Sequence, residues 1–391
     1  TVRNIAHAQE YIRHYLDGSP IPGIKWEYEM IQQILPMLNV DMLNQIAQQL
    51  VTDHNLIISF QAPEDENVVL PTEAEAIEML AAVKNEAIEA PVEEEIRTTL
   101  VENAPKAGKI RKTAYNEILG TTEWTLSNGV RVIVKPTEFK QDEILFYATS
   151  LGGYSQVKTE DLPSALLATD VIELGGLADM SVTDLQEALT GKRVSLSPRI
   201  SGNSESLSGS STVKDLETLL QLNYLYFTAP RRDEESYQTL ISILESQLAN
   251  RDKNPKVAFN DSIQMMTSNN SERTVIFTKK LLEKVSLDKA LEVYKARFAN
   301  PADFTFFFVG NVNPEDAAFK AQVCQWLGGL KANKKKEKVV DHQVRVPLGK
   351  QQNYFTQKME IKTASNRIQY TSYDMPYTLA NDLNMEMIGR I

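Results

Sequence analysis

The hydrophobic positions of this chain alternate between two rhythms. Residues 1–16 place apolar side chains at helical spacing, and Asp17-Gly18-Ser19-Pro20 breaks the run. A second helix is predicted at 26–34, stopped by Pro36. A third, at 41–51, opens on Asp41 as its cap and carries Leu43, Ile46, Ala47 and Leu50 on one face. Residues 55–60 (NLIISF) read as a short buried strand. After Pro71-Thr72, the string EAEAIEMLAAVKNEAI predicts a helix with Ile77, Leu80, Ala81 and Val83 turned inward.

From residue 119 the rhythm changes. TEWTLSNGVRVIVKPTEF reads as two strands joined at Asn128-Gly129, the strongest short hairpin signal. Residues 143–150 form a third strand ending at Gly152-Gly153. A helix is predicted at 163–173, stopped by Gly175-Gly176. Ser181 and Asp184 make a capping box for the next helix. Residues 194–200 and 205–211 pair around Ser201-Gly202-Asn203. Helices follow at 213–227, 233–250, 257–267 and 287–298. FTFFFV (304–309) is a last buried strand, and 314–327 a closing helix. Beyond the basic run 334–338, strands are predicted at 354–361 and 367–373, with a helix from 378.

This order is α+β, without regular βαβ alternation. The expected organisation has four parts. Residues 1–62 are the C-terminal end of a preceding domain. Residues 63–118 are an acidic linker with one helix. Residues 119–333 are a complete α+β domain. Residues 334–391 start a further domain, cut short. Charge supports this division. Residues 1–105 hold 18 Asp/Glu and 5 Lys/Arg, a net of −13, so the rest carries +2 of the total of −11. A net charge of −11 argues against nucleic acid as a partner. No stretch has the roughly 20 apolar residues of a membrane span. A single cysteine, Cys324, excludes an internal disulfide and a cysteine-rich zinc cage, and it reads as core.

Catalytic constellations are missing. The four histidines are His7, His14, His54 and His342. His7 and His14 lie about two turns apart, too far to chelate one ion, with no acidic ligand between them. They read as surface residues, and His54 and His342 as structural. No His-x-x-Glu-His or His-Glu-x-x-His string, Gly-x-Ser-x-Gly elbow or phosphate-binding loop occurs. Glu93-Glu94-Glu95 is a solvated charge run. The glycine pairs 152–153 and 175–176 read as chain reversals rather than anion loops.

The ordered set TLSNGVRVIVKPTEF, LGGYS, a helix ending in ELGG, a long helical middle and FTFFFVGNVNPEDAAFKAQVCQWLGGL resembles a pitrilysin/insulysin-type domain. That family of inverted-zincin metallopeptidases includes the mitochondrial processing peptidase. The likeness covers most of residues 119–391, and 1–118 resemble a preceding domain's end and linker in single-chain bacterial members. It implies mitochondrial-processing-peptidase-like domains, mainly antiparallel sheets with helices on one face. In the family two similar halves close like a clamshell around a peptide, and the zinc motif lies on the first helix of the N-terminal half.

Aligning the first helix on Gly176 puts Leu167, Asp170 and Val171 at the motif's histidine, glutamate and second histidine. Aligning on Gly175 gives Leu166, Thr169 and Asp170. The distal glutamate falls within 245–247, and the register that places Pro255 gives Gln247. The resemblance therefore implies no catalytic and no metal-ligating residue here, with Leu167, Asp170, Val171 and Gln247 as degenerate positions. An Arg and a Tyr that hold substrate in the family fall beyond Ile391. The implied function is the non-catalytic segment of a zinc metalloendopeptidase that encloses and helps bind peptides. The parent would need zinc, although this chain binds none. Its partners would be the N-terminal catalytic half of the same protein and unfolded or short peptides, the latter adding as an edge strand. The alternative is a non-enzymatic peptide-binding or assembly module of the same fold. The bacterial periplasm or cell envelope is favoured over the cytoplasm.

Overall fold

The computed structural model describes the chain except for residues 1–3, 51–54, 63–67, 88–96, 98, 250, 252–253, 334, 355, 357–363, 372–374, 377 and 390–391. Compactness divides the chain into Thr1–Glu94 and Glu95–Ile391.

The first unit is helical: α1 (Asn4–Asp17), α2 (Ile24–Ile34), α3 (Val40–Leu50) and α4 (Glu73–Asn85). Pro36 turns the end of α2 into a short 3₁₀ segment, Leu35–Met37. The cap of α3 is Asn39, whose Oδ1 accepts from Met42 N at 2.9 Å. Asp41, expected as the cap, sits instead in the first turn, where its charge still favours the helix dipole. Thr72 and Glu75 cap α4 reciprocally, since each side chain accepts the other residue's backbone N–H.

Two expectations fail in this unit. Residues 55–60 form no strand and are exposed, Ile57 at 90%. An apolar run needs a partner strand to satisfy its backbone, and none pairs with it among the described residues. On α4, Ile77, Ala81 and Val83 are exposed and Leu80 only partly covered.

The second unit is built on one seven-stranded sheet: β1 (Ile110–Asn116), β2 (Thr121–Leu126), β3 (Arg131–Pro136), β4 (Ile144–Leu151), β5 (Val194–Ile200), β6 (Ser204–Ser211) and β7 (Thr305–Gly310). The spatial order is β1-β2-β3-β7-β4-β6-β5. Only β3 and β7 pair in parallel, and the other neighbours are antiparallel. The helices are α5 (Leu162–Leu166), α6 (Ala168–Gly175), α7 (Val182–Ala188), α8 (Leu216–Thr228), α9 (Glu234–Ala249), α10 (Pro255–Thr267), α11 (Lys279–Leu282), α12 (Leu287–Arg297), α13 (Ala317–Trp326) and α14 (Leu379–Ile388).

Period-two burial decides which sheet face is covered. Val132, Val134, Ile144, Phe146, Ala148, Phe306 and Phe308 are buried beneath the helices, while Leu145 and Tyr147 are exposed on the opposite face. Phe146, Phe227, Phe298, Phe304, Phe306 and Phe308 form a continuous aromatic stack, with ring centroids 5.0 to 6.1 Å apart. Burial of each such ring stabilises by about 1.5–3 kcal/mol. The α+β class with mainly antiparallel pairing and helices on one face is what the structure has.

Three differences from the expected elements matter. Strand β1 falls within residues read as linker, and it carries Arg111, Lys112 and no buried residue. The expected helix 163–173 is two helices meeting at Leu167. Residues 354, 356 and 364–371 form no strand; Tyr354, Ile368 and Tyr370 are 76–91% exposed, and the rest of those two predicted strands lies outside the described residues. Again no partner strand satisfies their backbone among the described residues.

Candidate functional site

The resemblance places the family's metal-binding helix at α5 and α6, and its distal ligand on α9. Pro163 stands in the first turn of α5. Leu167 joins the helices with φ −100° and ψ 2°, its N–H donating to Ser164 O at 3.2 Å. Both helices pack against α12, and α6 also against α9. Leu167 is buried in a small apolar cluster with Leu282 and Val285, packed against Ile241, Leu244 and Leu248 of α9. Val171 is buried in the main core. Gln247 lies between Leu244 and Leu248 in sequence but is exposed. The structure thus brings Leu167 to the α9 side chains flanking Gln247 and leaves Gln247 itself in solvent.

Asp170 and Glu173 are three residues apart on α6, one helix face. Asp170 reaches water, yet surrounding protein is dense enough to raise its carboxyl. Burial raises Glu173, and Asp170 adds to this against a hydrogen bond to Ser197. Burial, reinforced by Asp170 and opposed by Arg199, pushes the Tyr154 phenol up to about 12. Tyr226 and Tyr294 are buried in the core, and their phenols are raised by burial as well.

Zinc does not fit these residues. It needs nitrogen, sulfur or oxygen ligands in a tetrahedral set. Leu167 and Val171 offer only carbon, and Gln247 stays outside Leu167's cluster. Among the described residues no group of three His, Cys, Asp or Glu side chains is placed to hold a metal. The histidines lie elsewhere. His7 is 3.8 Å from Glu10, His14 Nδ1 contacts Ser19 O, and His342 Nε2 contacts Ser155 O, the last two at 2.7 Å. His54 is outside the described residues. Cys324 is partly buried, and burial raises its thiol.

Both glycine pairs make turns. Gly153 has φ 54°, and a Cβ there would sit 2.3 Å from Ser201 O in the β5–β6 turn. Gly176 ends α6 at φ 86°, with Met180 O 2.2 Å from where a Cβ would be. A feature not anticipated lies beneath Gly153. Glu205 is 1% exposed, accepts from Gly153 N at 2.7 Å, and is hydrogen-bonded by Ser150. Burial raises its carboxyl against those bonds and the charge of Arg297. Arg297, itself nearly buried, forms an ion pair with Glu337. The signal was present in SESLSGSS, where Glu205 shares strand parity with core residue Leu207.

The second unit also holds a cavity of about 800 Å³. Its walls come from residues 154–166, 202–203, 264–275 and the extended segment 339–345. That segment is tied down by Val340 N donating to Ser155 Oγ at 3.0 Å and by the His342 contact. No motif marks the lining, so nothing in the sequence announces this cavity.

A helix-covered mixed sheet of this order is the architecture of a pitrilysin-type domain, and among the described residues no group is placed to hold a metal. Comparison with known proteins points the same way. The chain is 26% identical over 331 residues to the zinc protease PQQL-like of Arabidopsis thaliana, covering 84% of this chain and 32% of that protein. It is 25% identical over 210 residues to the probable zinc protease PqqL of Escherichia coli, covering 54% and 22%. It therefore spans about a third or less of the curated relatives it matches. The periplasmic protease PqqL from Escherichia coli superposes with a TM-score of 0.57 at 20% identity, covering 88% of this chain and 38% of that one. The ferredoxin protease FusC, solved as a mutant in complex with Arabidopsis ferredoxin, gives 0.55 at 19% identity, covering 87% and 37%. No family profile matches the chain. The chain is a relative of the pitrilysin-like (M16) zinc proteases of the PqqL kind. Among the described residues no helix is long and apolar enough to cross a membrane.

Proposed function

We propose that this chain is the non-catalytic segment of a zinc metalloendopeptidase, enclosing and helping to bind the peptides that a partner half hydrolyses. The observation that carries this reading is Leu167, buried against α9 where the family places an imidazole. An apolar plug at that point holds the helices together and cannot hold a cation. In the parent, zinc bound by the other half would polarise the scissile carbonyl.

The segment organisation belongs to the same proposal. Residues 1–62 end a preceding domain, which agrees with the exposed apolar residues of α1–α3, such as Tyr15, Trp26 and Leu43. Residues 334–391 open another domain. A periplasmic or envelope location is favoured by the likeness to the periplasmic Escherichia coli protease alone.

The test is direct. The purified chain, dialysed against zinc, should retain no stoichiometric metal by elemental analysis. It should not cleave unfolded or short peptides. Chelator-sensitive turnover by this chain would overturn the reading. A His-x-x-Glu-His string in the residues encoded upstream would support the catalytic partner half.

A further inference from the structure

The wall of the 800 Å³ cavity carries a cation that no described carboxylate balances. Arg273 lies in its wall, and its guanidinium donates only to neutral acceptors: Tyr154 O at 2.8 Å, Val157 O at 3.0 Å and Thr159 Oγ1 at 3.1 Å. Among the described residues no carboxylate lies within ion-pair distance of it. The other arginine of the wall differs. Arg345 makes a bidentate pair with Asp341, at 2.6 and 3.0 Å, so those two charges cancel. His342 makes its contact to a carbonyl, Ser155 O. The cavity thus carries one net positive charge, localised on Arg273.

Partial burial of a guanidinium without an anion costs free energy, since neutral carbonyls replace only part of its hydration. The cost persists in the chain as it stands, and burial holds the group below its usual value. A ligand carboxylate would relieve it through a charge-assisted, planar pair with the N–H groups that Arg273 has left. Part of the wall is aliphatic, with Leu162, Leu166, Val275, Val340 and Val344, and the rest is largely polar, as at Asn203 and Gln264. A cavity of this size with apolar wall and a few polar groups to fix orientation is the usual form of a small-ligand site.

We infer that this cavity binds a carboxylate carried on an aliphatic chain, with Arg273 taking the anion and the valine–leucine wall taking the chain. The carboxylate can be the C-terminus of a peptide or an acidic side chain within one. This inference goes beyond the proposed function, because the cavity would take such a ligand whether or not the parent cleaves peptides.

The experiment uses the 391-residue chain and three probes followed by calorimetry: N-acetyl trileucine with a free carboxylate, its C-terminal amide, and an amidated leucine-rich tripeptide with one internal glutamate. The free acid should bind saturably, and the amide at least about tenfold more weakly. If the amidated glutamate peptide binds and the free acid does not, the inference holds with the side chain as the source. Arg273→Lys should keep part of the preference for the acid, and Arg273→Gln should remove it. Arg273 also bridges three acceptors, so a second variant leaves it untouched: Val344→Trp fills the cavity and should weaken binding at least about tenfold. Equal affinity for acid and amide would overturn the inference. So would the absence of saturable binding by any probe, or unchanged binding by Val344→Trp.

Discussion

A leucine in the bend between two helices gains from being covered, and Leu167 is covered by side chains of α9 and α11. Leu167→Ala should therefore cost about 2–4 kcal/mol, measured by denaturant unfolding, through lost burial and the cavity left behind. Leu167→His should destabilise the chain and still retain no zinc, because Val171 and Gln247 supply no second or third ligand in place. Glu205 sets a different property at the same scale. Burial holds its carboxyl above 4.5, so folding favours its protonated form. Its contribution is fully present below the unfolded value and is lost as pH rises through the raised one. Stability should fall as pH climbs from about 4.5 toward neutrality, and Glu205→Gln should flatten that fall. Asp170 and Glu173 are raised in the same direction, so a smaller slope should remain in the variant.

Elements were legible in proportion to how local their causes are. The β2–β3 hairpin, the Ser181–Asp184 cap and the breaks at Gly152-Gly153 and Gly175-Gly176 depend on a few adjacent residues, and all are present in the structure. Ser181→Ala should cost about 1 kcal/mol by loss of the hydroxyl that accepts from Asp184 N. Strand β1 was not legible, because IRKTAYN has no alternation. It forms because β2 offers it an unpaired edge, and its charged residues discourage further pairing. The break at Leu167 was invisible for a related reason. ALLATDVIELGG has uninterrupted helical periodicity, and the bend appears only once the helices are packed against α12 and α9. Residues 55–60 failed in the opposite way: the apolar run is real, but a strand requires a partner outside itself. The degenerate ligand positions were read through resemblance, whereas Arg273 and its cavity arise from segments about a hundred residues apart and leave no trace in any short window.

At the scale of the molecule, the two compact units are the main feature. Removing residues 1–62 should leave the melt of the Glu95–Ile391 unit cooperative, its midpoint unchanged within about a degree or two, as followed by near-ultraviolet circular dichroism. Loss of cooperativity would show that the sheet depends on the helices before it. The acidic net of the first 105 residues belongs to this scale as well. It keeps that segment hydrated.

The sheet order has one more consequence, for the birth of the protein. Strands β1–β3 and β4–β6 are synthesised early, but only β7 joins them, and it leaves the ribosome about a hundred residues after β6. Until Phe306 and Phe308 emerge, the nascent polypeptide must carry two separate half-sheets with unpaired edges at β3 and β4. Translation of the long helical stretch between is thus a waiting period, during which a chaperone that shields exposed strands has most to do.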